Sequence, residues 1–142
     1  MSDLYASACT RMATGLFNWT RDAVFMALVD DSYVPDFLVE QTYADVPKSA
    51  VLLGPMPQVI QPTVVDGWCV APVSQSDRFS TERGVHAVLV LQATRVPVPP
   101  DALTDEEYLL VGYVDEGYNF HNIYTTPLAL YLIWPDEGVF RP

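Results

Sequence analysis

Lysine is almost missing from this chain. One lysine, Lys48, and six arginines face 18 aspartates and glutamates across 142 residues, for a formal charge of −11. Phosphate backbones repel such a surface, which argues against direct nucleic-acid binding. A solvated acidic exterior is the plain reading of the charge, and docking onto a basic partner is the sharper one. Cysteine is scarce too. Cys9 and Cys69 lie far apart with different flanks, so no disulfide framework is expected. Cys69, in GWCVAP, reads as a small buried hydrophobe. The two histidines, His86 and His121, belong to no CxxC, HxxxH or HExxH spacing, so neither a zinc site nor any other metal or cofactor is expected. No run of about 18 apolar residues offers a membrane span. The start, with an acid at position 3 and no basic segment before an apolar run, argues against a secretory signal. GxSxG, Walker and GxGxxG motifs are absent, so the residues alone name no catalytic class.

What the chain does have is apolar residues, half of the total, which is enough for a real core in a single domain over 1–142. Twelve prolines and eight tyrosines punctuate many short apolar runs. That pattern predicts a mainly β fold, an antiparallel β-sandwich or barrel-like domain with a short N-terminal helix or arm over 1–15. Leu4, Ala8 and Met12 share a helical face over 2–14, Ser2 or Asp3 would cap the start, and Gly15 would end it. Strands are expected at 16–19, 23–29, 51–53, 59–60, 63–65, 68–73, 85–93, 108–114 and 128–134, with a closing segment at 138–140. Asp66-Gly67 between two apolar runs is a hairpin signal. Pro57 and Pro62 mark an edge. Residues 37–43 read as a short helix capped by Asp36. The polar 74–84 and the aromatic 115–127 read as loops. Residues 128–134 are apolar on both faces, as a covered central strand would be.

Candidate chemistry is thin. Cys69 with His86 or His121 is a conceivable nucleophile pair, but the apolar flanks of Cys69 favour burial. The acidic pairs Asp30-Asp31, Asp115-Glu116 and Asp136-Glu137, with the triplet Asp105-Glu106-Glu107, match no EF-hand spacing. Solvated turns explain them better than a glycosidase pair does. The aromatic crowd of Tyr118, Phe120 and Tyr124, with His121, would be an apolar patch wanting a partner, either a glycan or a neighbouring subunit.

Three segments together resemble a known family. LFNWTRDAVFMALVDDSYVPD, with Asp22, Ala27, Leu28, Ser32, Tyr33, Pro35 and Asp36, resembles the early strands and Ser-Tyr-x-Pro-Asp loop of small virion structural proteins from tailed bacteriophages. GVHAVLVLQATRVPVPPDALTDEEYLLVGYVD resembles that family's strand, exposed connection and following strand. LALYLIWPDEGVFRP resembles its closing motif at Trp134, Pro135, Asp136, Gly138, Val139 and Phe140. The likeness spans roughly 16–36 and 84–142. Between 37 and 83 the family's glycine-rich stretch shrinks to Leu53-Gly54-Pro55. The resemblance implies a capsid-associated decoration protein on the virion surface, without enzyme activity, present in the host cytoplasm during assembly. Its implied partners are the major capsid protein and neighbouring copies of itself in a symmetric oligomer, without nucleic acid or membrane. A tail or connector component, or a non-viral glycan-binding β-sandwich, is the alternative. The N-terminal segment is one candidate contact. The others are the 95–104 connection with Val96, Pro97 and Leu103, and the 118–127 loop with Tyr118, Phe120, His121 and Tyr124.

Overall fold

Two runs of aliphatic residues, VFMALV and AVLVLQA, form the centre of the molecule. The computed structural model describes residues 2–57, 63–65, 68–70, 73–79, 84–95, 102–121, 128–133 and 139. Within them, VFMALV is strand β2 (Val24–Val29) and AVLVLQA is strand β7 (Ala87–Ala93). Every residue of both is buried. Their β-branched and aliphatic side chains suit a pleated surface covered on both sides. Each fully buried Leu or Val contributes about 1.5–3 kcal/mol of transfer free energy, so this pair anchors the fold.

The remaining strands assemble around that pair. The chain begins with β1 (Ser2–Leu4) and helix α1 (Ala6–Ala13). After β2 come β3 (Val51–Pro57), β4 (Thr63–Val65), β5 (Trp68–Val70) and β6 (Val73–Phe79). After β7 come β8 (Tyr108–Val114), β9 (Asn119–His121) and β10 (Leu128–Ile133). A five-stranded sheet runs β1-β8-β7-β2-β3, a three-stranded sheet runs β6-β10-β9, and β4-β5 is a ribbon. All the pairings are antiparallel. The larger sheet is open, ending at β1 and β3, and β3 lies against β6 of the smaller sheet. The fold is therefore mainly β and sandwich-like, with one short α-helix among the described residues.

Helix α1 docks on β8 through polar bonds as well as packing. Arg11 donates from Nε to Gln92 Oε1 (3.0 Å) and from Nη2 to the Leu110 carbonyl (2.8 Å). Gln92 Nε2 then donates to the Leu16 carbonyl at 3.1 Å. Gly15 stops the helix with φ +78°. Its N–H donates to the Met12 carbonyl and the Leu16 N–H to the Arg11 carbonyl, which satisfies two carbonyls the helix end would otherwise leave unpaired.

Several expectations hold. The strands expected at 85–93 and 108–114 are neighbours, the first beginning at Ala87, 63–65 pairs with 68–70, and 128–133 is the central strand of its sheet. Others are corrected. Ser2–Leu4 pairs with β8 instead of entering the helix, whose N-cap is Tyr5 with no side-chain cap. Residues 16–19 form a turn, because Asp22 Oδ2 accepts from the Asn18 N–H (2.7 Å) and Phe17 and Trp19 are buried without a ladder. Residues 37–43 make a tight turn and a bridge from Thr42 to Leu109 in place of a helix. Strand β3 runs through Gly54-Pro55, which the sheet edge tolerates because Pro55 lacks only an N–H. The polar 73–79 is a strand paired with β10, and 119–121 is a strand inside the expected loop. Residues 59–60, the Asp66-Gly67 turn, Trp134, Asp136-Glu137 and most of 138–140 lie outside the described residues.

Candidate functional site

The expected interface residues do not share one environment. Strand β8 ends in a turn where Gly117 takes φ 86°, and the chain then enters β9. Tyr118, between them, is half-buried against the core. Burial, with the charge of Asp115 beside it, pushes its hydroxyl up to about 12. Phe120 and His121 stand in β9, opposite Leu132 and Tyr131 of β10, on an edge strand rather than a loop. Leu103 is half-buried and packs on the core. It precedes a capping box in which the Thr104 and Glu107 side chains serve each other's backbone N–H groups. Val96, Pro97 and Tyr124 lie outside the described residues.

The nucleophile pair gains nothing from the geometry. Cys69 is buried, and burial pushes its thiol up to about 11, away from the reactive thiolate. His86 is exposed and lines an open cavity of about 270 Å³ with Asp30, Asp31, Gly84 and Val85. Among the described residues no three His, Cys, Asp or Glu side chains are grouped to hold a metal. Several acids do structural work. Asp30 Oδ1 accepts from the Ser32 N–H at 2.9 Å, Asp105 pairs with Lys48 Nζ at 2.8 Å, and Glu107 pairs with Arg95 Nε at 2.7 Å. Asp105 and Glu107 hold turns at the surface, as the sequence pattern predicts, whereas Asp30 holds its turn while buried and corrects the expectation of a solvated pair there.

The surface feature that sequence reasoning missed is the loop between β2 and β3. Val34, Leu38 and Val39 are 83%, 84% and 68% exposed. Such exposure in aliphatic side chains usually accompanies a loose loop, but this one is tied down. Tyr33 is buried; its hydroxyl bonds that of Tyr5 (2.6 Å) and donates to Glu40 Oε1 (3.0 Å). The same Glu40 oxygen accepts from the Asp36 N–H at 2.6 Å. Asp36 Oδ1 accepts from the Leu38 N–H, and the Asp36 carbonyl accepts from the N–H groups of Val39 and Glu40. The Phe37 ring packs 5.1 Å from Tyr5 and 6.1 Å from Tyr113, and its carbonyl accepts from the Ala6 N–H at 2.8 Å. Rings and acceptors thus point inward and aliphatic side chains outward. The available signal was VPDFLV itself, an apolar stretch inside an acid-flanked turn, which the reading of 37–43 as a short helix passed over.

The chain matches no family model, no curated protein and no solved structure. The described residues present an acidic surface, an ordered aliphatic loop and a buried thiol, and the Ser32 hydroxyl donates to Asp30 Oδ1 within its turn.

Proposed function

We propose that the protein is a structural component of a tailed-bacteriophage virion, a decoration protein that binds the outer face of the major capsid lattice and stabilises the head. The observation that carries this reading is the order of the three family-like segments over 16–36 and 84–142. The placement of the first segment supports it. Ala27 and Leu28 are fully buried in β2, while Ser32, Tyr33, Pro35 and Asp36 build the tied-down loop that follows. A motif of that kind specifies a core strand and a rigid exposed loop, as a scaffold protein requires, rather than a reacting centre. Decoration also suits the energetics. Modest contacts repeated by symmetry add up across a lattice, so no single contact needs to be large.

Mass spectrometry of intact virions with copy-number estimation tests the proposal. A count in the hundreds per particle is expected for a head protein. A handful would move the protein to a connector or tail tip. Absence from the particle, together with glycan binding lost in Tyr118→Ala, would replace the virion reading with the glycan-binding one.

A further inference from the structure

The loop over residues 34–39 poses a question that the capsid reading does not answer, namely what kind of surface it fits. Its shape is set in advance. Tyr33 and Phe37 anchor it from below, Asp36 and Glu40 close it with hydrogen bonds, and Val34, Leu38 and Val39 project into solvent. An ordered loop loses little conformational entropy on binding, so its apolar area converts efficiently into affinity. Exposed aliphatic groups held in a fixed arrangement are a feature of interaction sites.

Charge selects the occupant. From Asp22 to Pro47 the chain holds six acids and no lysine or arginine. Asp31 and Asp36, both exposed, stand on the loop itself. A second copy of this chain is a poor fit, because its bases are few, 7 against 18 acids, and among the described residues four of them already have partners. Arg11 is bound to Gln92 and Leu110, Arg21 to Asp22, Lys48 to Asp105, and Arg95 to Glu107. An anionic lipid surface would be repelled by the same acids. We infer that residues 34–39 form a docking knob for a protein partner whose receiving surface is an apolar pocket bordered by lysine or arginine. The inference rests on the loop's geometry and charge and stands whether or not the partner is a capsid.

The test uses the full chain and labelled amphipathic peptides of equal length, measured by fluorescence anisotropy at physiological salt. A Leu/Lys peptide offers both parts of the expected pocket, a Ser/Lys peptide the charge alone, and a Leu/Glu peptide the apolar face alone. The Leu/Lys peptide is expected to bind about tenfold or more tighter than either control, since burying one leucine side chain is worth more than a decade in affinity. The double variant Leu38→Ser, Val39→Ser should abolish that advantage and leave Ser/Lys binding unchanged. Both positions are exposed, so the variant should keep the wild-type circular dichroism and melting point, and Val34→Ser provides a second, independent loss. Equal Leu/Lys affinity in wild type and variants would overturn the inference, as would a preference for Leu/Glu. Two further results would also overturn it by naming another occupant: a wild-type dimer in sedimentation that these substitutions dissolve, or binding to phosphatidylcholine vesicles that they remove.

Discussion

At the scale of single residues, the most consequential group is the buried chain of hydroxyls from Tyr5 through Tyr33 to Glu40. Tyr5 is fully buried and its hydroxyl meets Tyr33. The two tyrosines are not equivalent. Tyr33→Phe strands the Tyr5 hydroxyl in the interior, whereas Tyr5→Phe leaves Tyr33 bonded to Glu40. An orphaned buried hydroxyl costs about 1–3 kcal/mol, more than the net loss of one satisfied bond. Urea denaturation should therefore show Tyr33→Phe to be clearly less stable than Tyr5→Phe; equal losses would mean that the relay is not closed in solution. Burial also sets an alkaline limit on the fold. It pushes the hydroxyls of Tyr43 and Tyr118 from 10 up to about 12, and raises those of Tyr5 and Tyr33 as well. The neutral phenol is favoured in the folded state, so above pH 10 the unfolded chain releases protons that the folded one retains. Stability is then fully present below pH 10 and falls as pH rises towards 12. Tyrosinate absorbance should rise together with loss of circular dichroism in that window. Ionisation of these tyrosines with the fold intact would contradict the assignment.

Among the elements, what the sequence revealed and what it concealed follow one physical line. β2, β7 and β8 were legible because burial on both faces demands continuous apolar runs, β10 carries the same kind of run in sequence, and such runs are visible without knowing partners. β6, VSQSDRF, was not, because its place is set by backbone pairing with β10, and a polar chain can supply N–H and C=O groups as well as an apolar one can. Ser2–Leu4 was lost for a similar reason, since its ladder partner Gly112–Val114 is over a hundred residues away. The helical reading of 37–43 concealed the best candidate site, because a helix gives no sign that Leu38 and Val39 stand in solvent, as they do in the turn that forms instead. The end of α1, by contrast, was readable at Gly15. A Cβ there would meet no atom within 4 Å, so any cost of Gly15→Ala lies in its φ of +78° and not in a clash. That cost is about 1 kcal/mol, with Asn at the same position losing less. Thermal melts of the two variants should rank Gly, Asn, Ala from most to least stable. An alanine variant as stable as wild type would show that the two carbonyl bonds closing the helix do not depend on the left-handed turn.

For the molecule as a whole, the governing quantity is the imbalance of 18 acids against 7 bases. Among the described residues the ion pairs lie at the surface. Side chains in Arg21–Asp22, Lys48–Asp105 and Arg95–Glu107 range from 19% to 58% accessible. Exposed pairs contribute about 0–1 kcal/mol each and weaken with salt. The repulsion among uncompensated carboxylates acts over longer distances, and it too is screened, with a Debye length of about 30 Å at 0.01 M falling to about 8 Å at 0.15 M. Salt therefore opposes itself, weakening a few short attractions while relieving many longer repulsions. At a net charge of −11 the repulsions outnumber the attractions, so the balance favours relief. The melting point should rise by several degrees between about 0.01 M and 0.15 M sodium chloride, since about 1 kcal/mol shifts a domain of this size by roughly 2–8 °C. A flat or falling profile would show instead that the three surface pairs hold the fold more strongly than their exposure allows. The same repulsion acts between molecules, so copies of this chain should be brought together by a basic surface that neutralises them rather than by one another. In sedimentation at physiological salt the free protein should remain monomeric, and it should lose that property only as the pH falls towards its isoelectric point of about 4.2.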